Sequence, residues 1–174
     1  MLKTIAVVVI VLLAILLIVA AMKPDTFHVE RSIAIDAPAE KIFPLIDDYR
    51  SWLPWSPYEK RDPAMKRTYS GPATGKGAMY AWDGNKDIGA GSMETLESTP
   101  SKIVIKLDFV RPFEAHNIAT FALSPQGNST RVTWSIDGPM PFVSKLMSIF
   151  LDMDKMIGKD FEDGLRDLKT AAEK

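Results

Sequence analysis

The chain has 174 residues and a mass of 19.3 kDa, enough for one ordinary domain and an appendage but too few for two full domains. Its 21 Lys+Arg against 22 Asp+Glu leave a net charge of -1 and no basic field for nucleic acid, so no nucleic-acid partner is expected. The absence of cysteine excludes disulfides, thiolate metal centres, Fe–S clusters and a cysteine nucleophile, and with His28 and His116 as the only histidines a histidine-rich metal site is excluded too.

Ile5 to Met22 is an unbroken run of 18 apolar residues bracketed by Lys3 and Lys23. As a helix it spans roughly 27 Å, close to the thickness of a bilayer's hydrocarbon core. The run predicts a single membrane span through residues 5–22. Residues 1–24 then form anchor and short linker, and 25–174 form the domain. A cleaved signal peptide is the alternative, because Val19-Ala20-Ala21 offers a peptidase small residues near Ala21. Against it, the run is longer than an h-region of roughly 7–15 residues. Positive charges on Met1's amino group and Lys3 face Lys23 and Arg31 across the run, which does not fix orientation. A lone N-terminal span commonly leaves the next domain outside the cytoplasm. The expectation is a single-pass membrane protein with an extracytoplasmic domain, or, after cleavage, a secreted or periplasmic one.

Phe27 to Ile35 alternates Phe27, Val29, Arg31, Ile33 and Ile35 against polar or small neighbours, a half-buried strand apart from Arg31. Asp36-Ala37-Pro38-Ala39-Glu40 reads as a helix start with Asp36 as cap. Ile42, Phe43, Leu45 and Ile46 form the apolar side of that helix. The prolines of Trp52–Tyr58 predict loop or one turn of helix. From Ala64 to Gly138 six further strands follow with short turns between them, an antiparallel meander. Among them, Lys102–Phe109 sets Ile103, Ile105 and Leu107 on one face. Thr130–Ile136 does the same with Val132, Trp134 and Ile136. From Phe142 the period becomes helical, and one apolar stripe runs to Leu168 through Leu146, Ile149, Met153, Met156, Ile157, Phe161 and Leu165, interrupted by Gly158 and Gly164. Gly164 sits on or beside that stripe, where it permits close helix–sheet approach. Seven antiparallel strands and one long amphipathic helix predict an α+β fold in which the sheet curls around the helix.

That order resembles the START-like SRPBCC superfamily, the helix-grip fold of polyketide cyclase-like and lipid-transfer proteins. The resemblance lies in Val29–Phe43 (VERSIAIDAPAEKIF), Trp52–Tyr58 (WLPWSPY), Gly71–Trp82 and the DMDKMIGKDFEDGLRDLK helix from Asp152 to Lys169. It covers residues 27–173. It implies a cavity for a hydrophobic molecule between sheet and helix, and no shared catalytic residue.

No catalytic constellation stands out. Gly71-Pro72-Ala73-Thr74-Gly75-Lys76-Gly77 lacks the ending of a phosphate loop and leads into a strand, so it reads as a strand connection. The acidic residues Asp152, Asp154, Asp160, Glu162 and Asp163 read as a solvated helix face. His116 is a candidate general base without a visible partner. It belongs to a polar group, with Asp108, Arg111, Glu114 and Asn117, around one strand break, where a ligand's polar head could sit. The cavity-wall candidates are Tyr80, Trp82, Ile105, Leu107, His116, Trp134 and Met153. No catalytic residue, metal or cofactor is assigned.

The reading that follows is a membrane-tethered binding domain for a hydrophobic or amphipathic small molecule or lipid. A cyclase-like or hydrolase-like enzyme using the same cavity is the first alternative. An anchored interaction domain whose Trp and Met side chains fill the core is the second. Protein partners are left open.

Overall fold

The computed structural model describes residues 2–174; Met1, whose amino group enters the charge comparison above, lies outside the described residues. The apolar run forms α1 (Leu2–Ala21). After it come β1 (Thr26–Ile35), α2 (Ala39–Asp47), a 3-10 turn (Tyr49–Trp52) and α3 (Pro57–Arg61). The meander follows as β2 (Lys66–Ser70), β3 (Met79–Asp83), β4 (Ala90–Thr99), β5 (Lys102–Arg111), β6 (Ala115–Gln126) and β7 (Ser129–Pro139). Two helices end the chain, α4 (Phe142–Met147) and α5 (Met153–Ala172).

The strands make one seven-stranded antiparallel sheet in the order β1-β7-β6-β5-β4-β3-β2. Only the β1–β7 pairing is non-sequential; it returns the first strand to the last and leaves β2 as the far edge. The expected α+β helix-grip fold is the one observed. Alternation decides which residues face the concave side. Ile103 and Ile105 of β5, Phe121 of β6, and Val132 and Trp134 of β7 are buried there. Register shifts at Ala90/Gly91 and Thr95/Glu97 put irregularities in β4. Such bulges bend a strand and increase its twist, which helps the sheet curl.

The helix start differs from expectation. The N-cap position of α2 is Pro38, with no side-chain cap. Asp36 lies two residues earlier, where its N–H donates to Glu173 Oε1 at 2.7 Å. The C-terminal stripe is also interrupted. It is split between α4 and α5 because Asp152 restarts the helix, its carboxylate accepting from Lys155 N at 3.0 Å. Phe161, Leu165 and Leu168 of α5 are buried against the sheet, whereas Phe142 and Val143 of α4 and Met156 of α5 are exposed.

Two glycines set how closely α5 approaches. A Cβ at Gly164 would lie 2.8 Å from the Trp134 ring and 2.9 Å from the Pro57 ring. Phe161 can therefore stack on Trp134, with centroids 4.1 Å apart and planes at 10°. A Cβ at Gly158 would strike the Arg31 guanidinium. This is why an arginine sits on the inward face of β1. Crossing α5 at Gly158, Arg31 forks onto Asp154, at 3.0 and 2.9 Å, and donates to Glu162 at 2.9 Å. The acidic face of α5 is largely an ion-pairing face: Asp160 pairs with Arg61, Asp167 with Lys60 and Asp163 with Lys159 and Arg166.

Candidate functional site

Between the concave sheet and the helices lies a cavity of about 1090 Å³. Trp52 follows α2, Tyr58 lies on α3, and Met153, Ile157 and Phe161 lie on α5; all contribute wall. From the sheet come Tyr80 and Trp82 of β3, Met93 of β4, Leu107 and Phe109 of β5, Asn117 and Ala119 of β6, and Trp134 and Ile136 of β7. Phe113, Val143 and Met147 also line it and are 74%, 67% and 46% exposed. They mark the mouth, between the β5–β6 hairpin tip and α4.

Of the sequence candidates, Tyr80, Trp82, Leu107, Trp134 and Met153 line this cavity, and His116 does so at its rim. Ile105 does not. It points inward like Leu107 but is fully buried in the core with Phe121 and Ile103, behind the cavity floor. His116 reaches only the rim. Its neighbours Ala115 and Asn117 face inward, so its imidazole lies on the convex side, opposite Asp108 in the β5–β6 register. There His116 has the partner the sequence did not reveal: Nδ1 lies 2.8 Å from Asp108 Oδ1, and Nε2 lies 3.3 Å from Glu114. The bond to Asp108 raises the imidazole's pKa above its ordinary 6.5. Asp108 is lowered in turn, first by Lys106 and then by His116. Arg111 turns away to Asp83. The polar group around the strand break is thus divided. Glu114, His116 and Asn117 are part of the lining, while Asp108 lies on the outer face, where the His116 ring meets it.

Two further polar groups that face the cavity, Ser56 and Glu59, are not found by the sequence reading, and the reason is local. Ser56 occupies the N-cap of α3 and Glu59 follows three residues later, the spacing of a capping box. The box does not form: Ser56 makes no side-chain cap bond. Both residues are buried and line the cavity. Glu59 Oε1 accepts from the Tyr80 hydroxyl at 2.5 Å, and Oε2 accepts from Arg67 Nε at 2.7 Å. Burial, and then the bond to Glu59, push the Tyr80 phenol's pKa well up, so it remains a donor. Tyr49 is raised chiefly by burial, and its hydroxyl shares a 2.8 Å bond with Thr95.

Tyr80 pairs with Met93, Met93 with Leu107, and Leu107 with Asn117. These four form one row across the concave face. It has a polar group at each end and two apolar side chains between. Three strand spacings separate the ends, about 14 Å along the sheet. Asn117 is 7% exposed, and its side-chain oxygen lies over Gly138, where a Cβ would sit 2.0 Å from it. Among the described residues no cluster of three His, Cys, Asp or Glu could hold a metal ion.

This geometry, an apolar cavity gripped between a curled sheet and a C-terminal helix, has relatives. A family model described as polyketide cyclase / dehydrase and lipid transport matches residues 26–173. The chain belongs to that family. No curated protein matches it in sequence. Solved structures share the fold of this family member. The protein CV1439 from Chromobacterium violaceum superposes with a TM-score of 0.60 at 14% identity, over 87% of this chain and 99% of that one. The major latex-like protein 151 from Panax ginseng gives 0.56 at 14% identity, over 84% and 97%. The di-domain ARO/CYC StfQ from the steffimycin biosynthetic pathway gives 0.63 at 11% identity, over 85% of this chain and 51% of that one. At such identities these likenesses speak for the fold alone.

Proposed function

We propose that this polyketide cyclase/dehydrase family member binds a hydrophobic or amphipathic small molecule or lipid in the cavity, without turning it over, while α1 holds it at a membrane. The carrying observation is the cavity, about 1090 Å³ with tryptophan, phenylalanine and methionine walls. Burying apolar surface of a ligand there is favourable by about 25 cal/mol per Å². The non-catalytic reading rests on the lining, whose one buried carboxylate, Glu59, is already ion-paired with Arg67.

Residues 1–24 serve as anchor and linker in this reading, and residues 25–174 as the binding domain. Lys3–Ala21 has a mean hydropathy of 3.4 and is almost wholly unburied by protein. Its C-terminal end meets α4: Ala20 is fully buried and Lys23 Nζ donates to the Ser148 carbonyl at 2.9 Å. Lys145 on α4 reaches back to Asp25 at 2.6 Å. The cavity mouth is bounded by α4, so a tether at this point holds the opening beside the bilayer that supplies apolar molecules. Exposed Phe150 and Leu151, just after α4, extend the same apolar margin.

The test is saturable uptake of an apolar probe by the full chain, compared with Leu107→Trp, which places an indole in the cavity. Uptake lost in the variant with its fold intact supports the reading. Equal uptake by both proteins, or none by either, rejects it.

A further inference from the structure

The cavity carries one buried ion pair, and that pair leaves an acceptor facing inward. Glu59 and Arg67 side chains are 3% and 16% exposed, and their charges cancel. Arg67 donates to Glu59 and to the backbone carbonyls of Asp62, Pro63 and Met65, away from the cavity's lining. Glu59 is not saturated. Each carboxylate oxygen accepts about two hydrogen bonds, and each receives one, from Tyr80 or from Arg67. Glu59, Tyr80 and Ser56 all line the cavity, beside the apolar side chains of Trp82 and Met93.

A ligand group that reaches Glu59 therefore has to donate. A carboxylate has no proton to donate, and it would be buried as a net charge, since among the described residues no lysine or arginine lines the cavity and His116 lies at the rim. An ammonium beside Glu59 meets a carboxylate whose charge Arg67 already neutralises, and the other carboxylates of the lining, Asp25 and Glu114, are exposed at the mouth, so burying the cation is costly. A hydroxyl satisfies the free acceptor and adds no charge.

We infer that the cavity, on the binding reading above, takes neutral hydroxyl-bearing apolar molecules and discriminates against acids and quaternary amines of the same carbon skeleton, with Glu59 accepting the hydroxyl. Glu59 is then a specificity-determining residue of a site whose affinity comes from its apolar walls.

The experiment is calorimetric titration of the full chain in phosphatidylcholine nanodiscs at neutral pH, with empty discs as the blank. The probes are 1-decanol, decanoate and decyltrimethylammonium. Decanol should bind at least about tenfold tighter than either charged probe, the range of one hydrogen bond to a charged group. The double substitution Glu59→Gln with Arg67→Gln should bring decanol and decanoate within about threefold of each other, with decanol still saturable. Tyr80→Phe leaves the carboxylate in place and frees one of its oxygens, so the preference should persist. Equal affinity for decanol and decanoate in the native chain overturns this inference and leaves the binding reading standing. Loss of the preference in folded Tyr80→Phe transfers it to the phenol and overturns the role of Glu59. No saturable binding of any probe removes the binding reading and this inference together. Should the double variant fail to fold, the native-chain ratio and Tyr80→Phe decide.

Discussion

Glu59 illustrates how a residue's neighbours override its local sequence. Three residues after Ser56 it has the spacing of a cap, yet Arg67 and Tyr80 draw it inward. Replacing Tyr80 by Phe removes one donor from a buried carboxylate and should cost about 1–3 kcal/mol of stability in urea unfolding. An unchanged midpoint would show that the bond contributes nothing. His116 is the complementary case on the outer face. Its pKa is raised by Asp108, so the folded state favours the imidazolium. That contribution is present below the unfolded value near 6.5 and is lost as pH rises through the higher folded value. An NMR titration of His116 should show a midpoint above 6.5 that falls toward it in Asp108→Asn; a midpoint unmoved by that substitution would contradict the pairing. Part of the site was legible in the sequence. Period-two alternation alone finds Tyr80, Trp82, Leu107 and Trp134. It also selects Ile105, because it reports which face a residue points to and not how deep the space beneath it lies. It could not find Ser56 and Glu59, whose inward turn depends on residues in β2 and β3.

Helix α5 is fixed by two glycines and one arginine, and its predictions follow from that. Gly164→Val would drive a side chain into the rigid Trp134 and Pro57 rings, and should destabilise by about 1–3 kcal/mol or more. Phe161→Ala would remove the stack on Trp134 and should cost about 3–5 kcal/mol. Thermal melts of both check this, and wild-type melting in either would exclude the close packing. Arg31 holds Asp154 below the ordinary carboxylate range. A lowered carboxyl pKa contributes stability above its unfolded value and loses it as pH falls through the folded one. Acid unfolding below about pH 4 should therefore lose part of its pH dependence in Arg31→Gln. An identical acid profile would deny the pair a role. The strands and α5 could be read from the sequence because their periods, 2 and 3.6, persist over many residues. The break between α4 and α5 could not. The apolar spacing runs straight through it, and only Asp152 closing onto Lys155 N restarts the helix.

At the scale of the molecule, the linker ties α1 to α4, which also forms one margin of the cavity mouth. The proposed tether predicts that the full chain sediments with membranes, resists extraction by carbonate and is released by detergent; recovery of intact full-length chain in the soluble fraction would contradict it. The sequence could anticipate the sheet, the terminal helix and the apolar run, but not that the run ends beside the mouth, because that placement depends on the long-range bond between Lys23 and Ser148. The central claim is that the space between sheet and helix is a binding cavity. Native mass spectrometry of the full chain purified in detergent tests it most directly, with Leu107→Trp as the filled comparison. The prediction is a non-covalent adduct of apolar, small-molecule mass on the native chain that is missing from the folded variant. A native chain with no adduct, or the same adduct on both proteins, would contradict it.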